Sequence, residues 1–426
     1  MTEDVRELAE HLFRHETGRI VSSLVRVLGV AHLALAEDAV QDALVRALET
    51  WKFGSTPEHP AAWLTRAARN RAIDLLRHHS RTDPLGAELA ASLEAEAAPG
   101  RPAGHAISDD ELRLMFSCCD PGLSRPAQVA VVLKYLGGFS AREIAEALLS
   151  SEAAIEKQLF RSRRVLSARG KLLDVGDPGL VRERLPAVHD AIYLLFSEGY
   201  HGSHPEQVVR EDLCHEAIRL GVMLSRLPAA SGPETQALLA LFCFLAARLP
   251  ARTDDDGNLL LLAEQDRTRW DRTLIEEGMR RLDASAEGEE LTARHLEAAI
   301  AARHASAPSF AATDWGGILE LYDLLLRLDP SPIVALNRAI ALGMAEGPEA
   351  GLQALAEIPD RERLRRYPFY PAAMAELEAR AGRGERAAGL LEAALRLGRN
   401  PAERELLARK LAACRGSDGS AVVAPP

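Results

Sequence analysis

Residues 138–168 read Gly138-Phe-Ser-Ala-Arg-Glu-Ile-Ala-Glu-Ala-Leu-Leu-Ser-Ser-Glu-Ala-Ala-Ile-Glu-Lys-Gln-Leu-Phe-Arg-Ser-Arg-Arg-Val-Leu-Ser-Ala168. Ser140 followed by Glu143 is a capping box, in which the serine caps a helix and the glutamate reaches back. Ile144 and Leu148 form an apolar stripe on that short helix. A break at Leu149-Ser150 follows, and Ser151 caps a second helix. On it Ile155, Leu159, Ser162 and Leu166 share one face, while Lys157, Arg161 and Arg164 share the other, with Lys171 nearly in line. A short helix, a tight turn and a longer helix with one apolar and one basic stripe form the helix-turn-helix pattern. The apolar stripe predicts packing on the first helix. The basic stripe is left to meet phosphates and base edges, whereas a structural reading makes it a solvated face of a helical hairpin.

The whole chain does not look like a nucleic-acid binder. Its 426 residues carry a net charge of −11. By segment the picture reverses. Residues 155–171 are +5 and residues 63–81 are +4, while residues 175–426 are −9. With 47% hydrophobic and 27% charged residues the composition is that of a folded globular protein rather than a disordered one. Nearly every segment has helical spacing and no period-two series stands out, so the expected fold is all-α. Five cysteines without regular spacing argue against a disulfide framework. Residues 1–16 show no apolar leader, and the apolar run around 237–247 is short for a bilayer. A cytoplasmic protein without membrane contact is expected.

Residues 60–81 form a second basic helix, with Pro60 suited to its first turn. Leu64, Ala68, Leu75, Ala61 and Ala72 share one face; Arg66, Asn70, Asp74 and Arg77 share the other. Trp63 falls on the polar side, where an indole suits stacking on unpaired bases; the structural alternative packs it beneath a neighbouring loop. Upstream, Val40, Leu44, Ala47 and Trp51 line the apolar face of a helix over 38–51. The opposite face carries Asp38, Asp42, Val45 and Glu49, a surface on which charge can steer and an apolar group anchor a protein partner.

These pieces, in this order, resemble the extracytoplasmic-function (ECF) group of sigma-70 factors of bacterial RNA polymerase. Ala36-Glu-Asp-Ala-Val-Gln-Asp-Ala-Leu-Val-Arg-Ala-Leu48 is similar to that family's polymerase-binding helix in region 2. Pro60-Ala-Ala-Trp-Leu-Thr-Arg-Ala-Ala-Arg-Asn-Arg-Ala-Ile-Asp-Leu-Leu-Arg77 is similar to its promoter-melting helix. Leu133–Glu146 is similar to the entry to its region 4 helix-turn-helix. Composition divides the chain into a helical block over 1–83, a Pro/Gly-punctuated linker over 84–107 with room for one weak helix over 87–97, a compact helical block over 108–174, a helical domain over 175–415 and a disordered tail over 416–426; the resemblance makes the first block region 2 and the third region 4. It assigns core polymerase binding (clamp and flap) to Asp38, Gln41, Asp42 and Val45. It assigns the melted −10 element to Trp63, Arg66, Arg69, Asn70 and Arg77, with base capture in the loop Phe53–His59. Duplex −35 DNA falls to Ser151, Lys157, Gln158, Arg161 and Arg164. No reaction, metal or cofactor is implied. Leu149 and Ser150 depart from the glycine most members have at the break, a departure shared with a subgroup that carries a tetratricopeptide-like C-terminal extension.

The C-terminal half fits that subgroup. Pro330, Pro368 and Pro401 open segments 38 and 33 residues apart, close to the tetratricopeptide period of about 34. Such a domain is expected either to regulate the factor, through an intramolecular contact or a regulatory protein, or to assist it by contacting polymerase. His189, Glu198, His201 and His204 match no standard metal spacing, and Cys118-Cys119 read as small buried hydrophobes. Two rival readings stand beside the sigma factor. A free-standing helix-turn-helix regulator with a helical-repeat sensor needs neither the Trp63 helix nor the Asp38/Asp42 helix. An enzyme or scaffold built on His189, Glu198 and His201 would keep its activity without residues 1–174.

Overall fold

The computed structural model describes residues 3–51, 56–79, 84–96, 103–148, 150–201, 209–365, 367–398 and 401–416. Among them every regular element is helical, as the all-α reading expects. The chain divides into two compact units. Unit one is Met1–Glu198 with His215–Ala230, and unit two is Gly199–Cys214 with Ser231–Pro426. The expected boundary at 174/175 therefore falls inside unit one. Of the expected tail over 416–426, Gly416 belongs to the last helix, Pro401–Gly416, and residues 417–426 lie outside the described residues, as do residues 53–55 of the base-capture loop.

Unit one opens with α1 (Glu3–Leu28), α2 (Leu33–Thr50) and α3 (Pro60–His79), which pack on one another. Val40, Leu44, Ala47 and Trp51 are buried as their spacing predicts, and so are Leu64, Ala68 and Ala72. On α3 the burial continues through Ile73 and Leu76 rather than Leu75. Each large side chain so buried is worth about 1.5–3 kcal/mol. Much of the expected linker is a helix, α4 (Pro84–Glu96), which packs on α1 and α3. Ala90 and Leu93 are buried, and Glu94 pairs with Arg77 of α3. A composition rich in Ala and Leu and punctuated by Pro and Gly at both ends reads as a linker, but it holds enough apolar residues to dock one face.

The next four helices are α5 (Ala103–Cys118), α6 (Arg125–Tyr135), α7 (Ala141–Ala147) and α8 (Glu152–Ser167). They do not stand apart from the first block. Lys134 of α6 pairs with the nearly buried Glu37 of α2 at 2.8 Å, and Arg26 of α1 pairs with Asp110 of α5 at 2.7 Å. The Val30 amide donates to the Gly170 carbonyl at 2.9 Å. Two glycines make room for the joint. A Cβ on Gly18 would stand 2.6 Å from the Leu136 oxygen, and one on Gly29 would stand 2.5 Å from the Gly170 oxygen. Gly29 also has φ +80, a conformation that L side chains resist.

Asp120 joins these helices to α9 (Pro178–His201). Its carboxylate is 1% exposed. It accepts from Arg169 at 2.9 Å, from Arg184 of α9 at 3.3 Å and from the Gly122 amide at 2.8 Å. Burial alone would raise its pKa. The Arg169 hydrogen bond, the Gly122 amide and the charges of Arg184 and Arg169 outweigh that and hold it below the usual carboxylate value. Arg219 of α10 (Glu211–Ser225) adds a bidentate pair to the buried Glu111 of α5, at 2.9 and 3.0 Å.

Unit two is built on α11 (Pro233–Ala246), buried along almost its whole length. The stretch Pro233–Ala251, α11 and the short helical turn after it, is long and apolar enough to cross a membrane, longer than the run noted in the sequence, but 72% of its apolar window is buried in protein. α12 (Arg272–Ser285) and α13 (Ala293–Ser306) pack on it. Then α14 (Trp315–Leu328), α15 (Pro332–Ala345), α16 (Pro348–Ala356), α17 (Phe369–Arg380), α18 (Gly384–Leu397) and α19 (Pro401–Gly416) follow, each packed on the next. The spaced prolines stand at or just before α15, α17 and α19, every second helix, where a missing N–H costs least.

Asp120→Asn is expected to lower stability at pH 7 by about 2 kcal/mol, the worth of a charge-assisted hydrogen bond. Because the folded pKa is depressed, the wild-type advantage is complete above the unfolded carboxylate value of about 4. It is lost as pH falls through the lower folded value. Denaturant melts of both proteins from pH 7 to pH 3 check this, and a constant difference across that range contradicts it.

Candidate nucleic-acid interface

The helix-turn-helix forms as its sequence dictates. The Ser140 amide donates to Glu143 Oε2 at 2.8 Å and the Glu143 amide donates to Ser140 Oγ at 3.2 Å, closing the capping box at the start of α7. Ser151 Oγ accepts from the Ala154 amide at 3.3 Å and caps α8. Ile155, Leu159, Ser162 and Leu166 are the buried residues of α8, the set the apolar stripe predicts. Leu149 lies outside the described residues, and Ser150 is not among the positive-φ positions.

The opposite face of α8 is exposed and basic. Lys157, Arg161 and Arg164 are exposed, as is Lys171 beyond the helix end, and none of the four pairs with a carboxylate among the described residues. The other two bases of this stretch differ from these four. Arg169 holds Asp120, and Arg163 is half-buried. Gln158 also sits less openly than its neighbours, with its amide nitrogen buried. Ser151 is committed to its cap. Phe160 is 60% exposed beside Lys157, Arg161 and Arg164. The sequence reading missed it because it belongs to neither stripe; the signal is an aromatic residue one step off the apolar face and flanked by cations at i−3, i+1 and i+4. An exposed apolar side chain there suits contact with a thymine methyl.

On α3, Arg66 and Asn70 are exposed and Arg69 is half-buried, and none of the three pairs with another side chain among the described residues. Arg77 is tied to Glu94, and Arg71 to Asp42 of α2 at 2.6 Å. Trp63 is half-buried and packs edge-on against Trp51, with ring centroids 5.5 Å apart. One edge of the indole is thus a support for the α2–α3 packing, while the rest borders the polar face of α3. On α2, Asp38, Gln41, Asp42 and Val45 are exposed together, Val45 to 55%. Gln41 donates to Glu37 at 3.0 Å, the same carboxylate that meets Lys134.

The cysteine pair is inert. Cys118 and Cys119 are buried. Burial, the dominant cause, pushes the Cys119 thiol up to about 12, far from a reactive thiolate. His189 is buried on α9, and no group of three metal-ligating side chains occurs among the described residues.

Residues 12–82 match sigma-70 region 2 and residues 116–166 match sigma-70 region 4. Residues 184–286 match a family of unknown function, DUF6596. An uncharacterised protein of Rhizobium meliloti (strain 1021) is 41% identical over 376 residues, 87% of this chain and 88% of its own length. "Probable RNA polymerase sigma factor RfaY" of Xanthomonas campestris pv. campestris is 32% identical over 168 residues, 37% of this chain and 40% of its own length. The ECF RNA polymerase sigma factor SigK of Mycobacterium ulcerans is 26% identical over 172 residues, 38% of this chain and 84% of its own length. The capped helix-turn-helix with its free basic stripe, the basic α3 and these matches agree: the chain belongs to the sigma-70 family as an ECF-type sigma factor, a promoter-recognition and transcription-initiation protein with an additional C-terminal helical domain.

Proposed function

We propose that α8 reads the duplex −35 element through Lys157, Arg161 and Arg164, that α3 engages the melted −10 strand through Trp63, Arg66, Arg69 and Asn70, and that the exposed Asp38–Val45 face of α2 docks on the clamp of core polymerase. The observation that carries this is the set of four cations on and just beyond α8 that no carboxylate of the described residues neutralises. Elsewhere in the same unit the basic side chains Arg26, Arg71, Arg77, Lys134, Arg169, Arg184 and Arg219 all have acidic partners. Unpaired arginines on the solvent face of a recognition helix gain their counterions from phosphates and base edges. Phe160 joins them as an apolar reader.

In this reading the free protein is closed. The Lys134–Glu37 pair, the Arg26–Asp110 pair and the Val30–Gly170 hydrogen bond hold the −10 and −35 readers together, and engaging two elements at different places along one duplex requires that joint to give way. The acidic C-terminal half, with no DNA-reading motif of its own, acts as the regulatory part, and the factor works in the cytoplasm with core polymerase. A truncation at 174 is a poor probe of that role. It removes Arg184 and Arg219, the partners of Asp120 and Glu111.

Run-off transcription with core polymerase on a mapped promoter is the direct test, and absence of transcript from the full-length chain would sink the reading. Arg161→Ala is expected to weaken promoter binding by about 1–3 kcal/mol while leaving core polymerase binding unchanged; equal loss of both contradicts the assignment. Asp42→Ala is expected to reduce capture of core polymerase severalfold, with promoter-duplex binding by the free factor retained. Because that change also frees Arg71, Arg71→Ala separates the effects: it should leave capture intact. Lys134→Glu sets two carboxylates against each other at the joint. It is expected to raise the initial rate of open-complex formation, and an unchanged or lower rate in a folded variant argues against closure.

A further inference from the structure

Unit two contains a cluster of positive charge that promoter recognition does not use. Arg248 follows α11, Arg252 follows the short turn Leu249–Ala251, Arg267 opens the turn Arg267–Arg269, and His304 lies on α13. All four are half-buried. Arg248 and Arg267 sit over the same ring, Trp270, with guanidinium carbons 5.6 and 4.5 Å from its centroid. Arg252 lies 4.0 Å from the centroid of Tyr200.

Among the described residues none of the three arginines pairs with a carboxylate. Arg248 Nε donates to Gln265 Oε1 at 3.3 Å. Arg267 Nη1 donates to the His304 and Ala307 carbonyls at 2.6 and 2.7 Å. Among the described residues the Arg252 side chain meets the Tyr200 ring and no hydrogen-bond acceptor. Four buried nitrogens have no partner among the described residues: Arg252 Nε, Arg267 Nη2, Trp270 Nε1 and His304 Nδ1. Trp270 itself is 3% exposed. Burial first, and then the charges of Arg248 and Arg267, hold the His304 pKa down to about 3, so the imidazole is neutral at pH 7.

We propose that this cluster binds a phosphoryl-type oxyanion. The imbalance has one sign throughout. Three of the unpartnered nitrogens are obligate donors and the fourth can donate in one tautomer, so what the cluster lacks is acceptors. Partly buried guanidinium groups that repel one another are costly without a counter-charge, and buried donors in folded proteins almost always have acceptors. A group with several charged oxygens supplies both, and arginine is the residue whose fork matches it. The Trp270 ring already carries protein cations, so the ligand recognised is a compact anion rather than a stacked base. Arg248, Arg252, Arg267 and Trp270 all lie within 184–286, the stretch matched by the family of unknown function and outside both promoter-reading blocks.

The test uses the full-length protein and the probes inorganic phosphate, pyrophosphate and succinate, titrated calorimetrically against chloride at matched ionic strength. The expected result is saturable 1:1 binding of phosphate or pyrophosphate, at least tenfold tighter than succinate. Arg267→Gln and Arg252→Gln are each expected to weaken it at least tenfold, whereas Arg280→Gln, an exposed arginine of α12, leaves it unchanged. Trp270→Phe removes one donor and keeps the ring; it is expected to weaken binding severalfold and serves if an arginine variant does not fold. Absence of saturable binding to the wild-type protein overturns the proposal. Tighter binding of succinate overturns the ligand class. Loss of binding in Arg161→Gln but not in Arg252→Gln puts the anion on the promoter-reading helix and overturns the site. None of these readouts depends on transcription.

Discussion

The buried Asp120 carboxylate is the constraint on which unit one depends. An uncompensated charge at 1% exposure would be untenable, so Arg169, Arg184 and the Gly122 amide must all be present around it. Arg169 follows the recognition helix and Arg184 lies on α9. One side chain therefore fixes where α8 ends and where the chain leaves region 4. The Arg219–Glu111 pair repeats the device one helix further on. Region 4 is thus folded together with the first helices of the C-terminal extension, and its exposed basic face is what remains after the other faces are covered.

The same economy of charge separates the functional arginines from the structural ones. Many of the described basic side chains in unit one have acidic partners, whereas Lys157, Arg161 and Arg164 of α8, which the resemblance to sigma factors assigns to DNA, have none among the described residues. In unit two the unpaired cations sit in a different setting, half-buried and over aromatic rings rather than exposed along a helix. Exposure suits a long, hydrated polyanion; partial burial suits a small one that can give up its water.

How much was legible in the sequence varied with the length scale of the cause. The capping box at Ser140 and Glu143, the cap at Ser151 and the buried set Ile155, Leu159, Ser162 and Leu166 follow from spacing within one helix, where 3.6 residues per turn decides which side chains share a face. Helix α4 was half-visible, because its composition marks a linker while its few leucines suffice to dock. A wheel puts Trp63 on the polar side of its helix and leaves its packing open, because it cannot show that Trp51, one helix back, meets the indole edge-on. Phe160 went unnoticed for the complementary reason: apolar residues are expected inward, and only its exposure in the folded chain shows otherwise.

The sequence alone determined the all-α class, the order of the two promoter-reading blocks and the local concentration of positive charge, since these rest on periodicity, caps and composition. Only the tertiary structure decided which of those charges are free. Whether an arginine meets a carboxylate depends on residues 29 positions away for Arg71 and Asp42, 64 for Arg184 and Asp120, and 108 for Arg219 and Glu111. No helical period reaches that far. Two glycines of the interblock joint, ordinary in the sequence, likewise acquire meaning only when another backbone is seen within 3 Å of where their side chains would begin. The net charge of −11 said little about partners, because pairing over long sequence separations, rather than the sum, sets the field that DNA or a small anion meets.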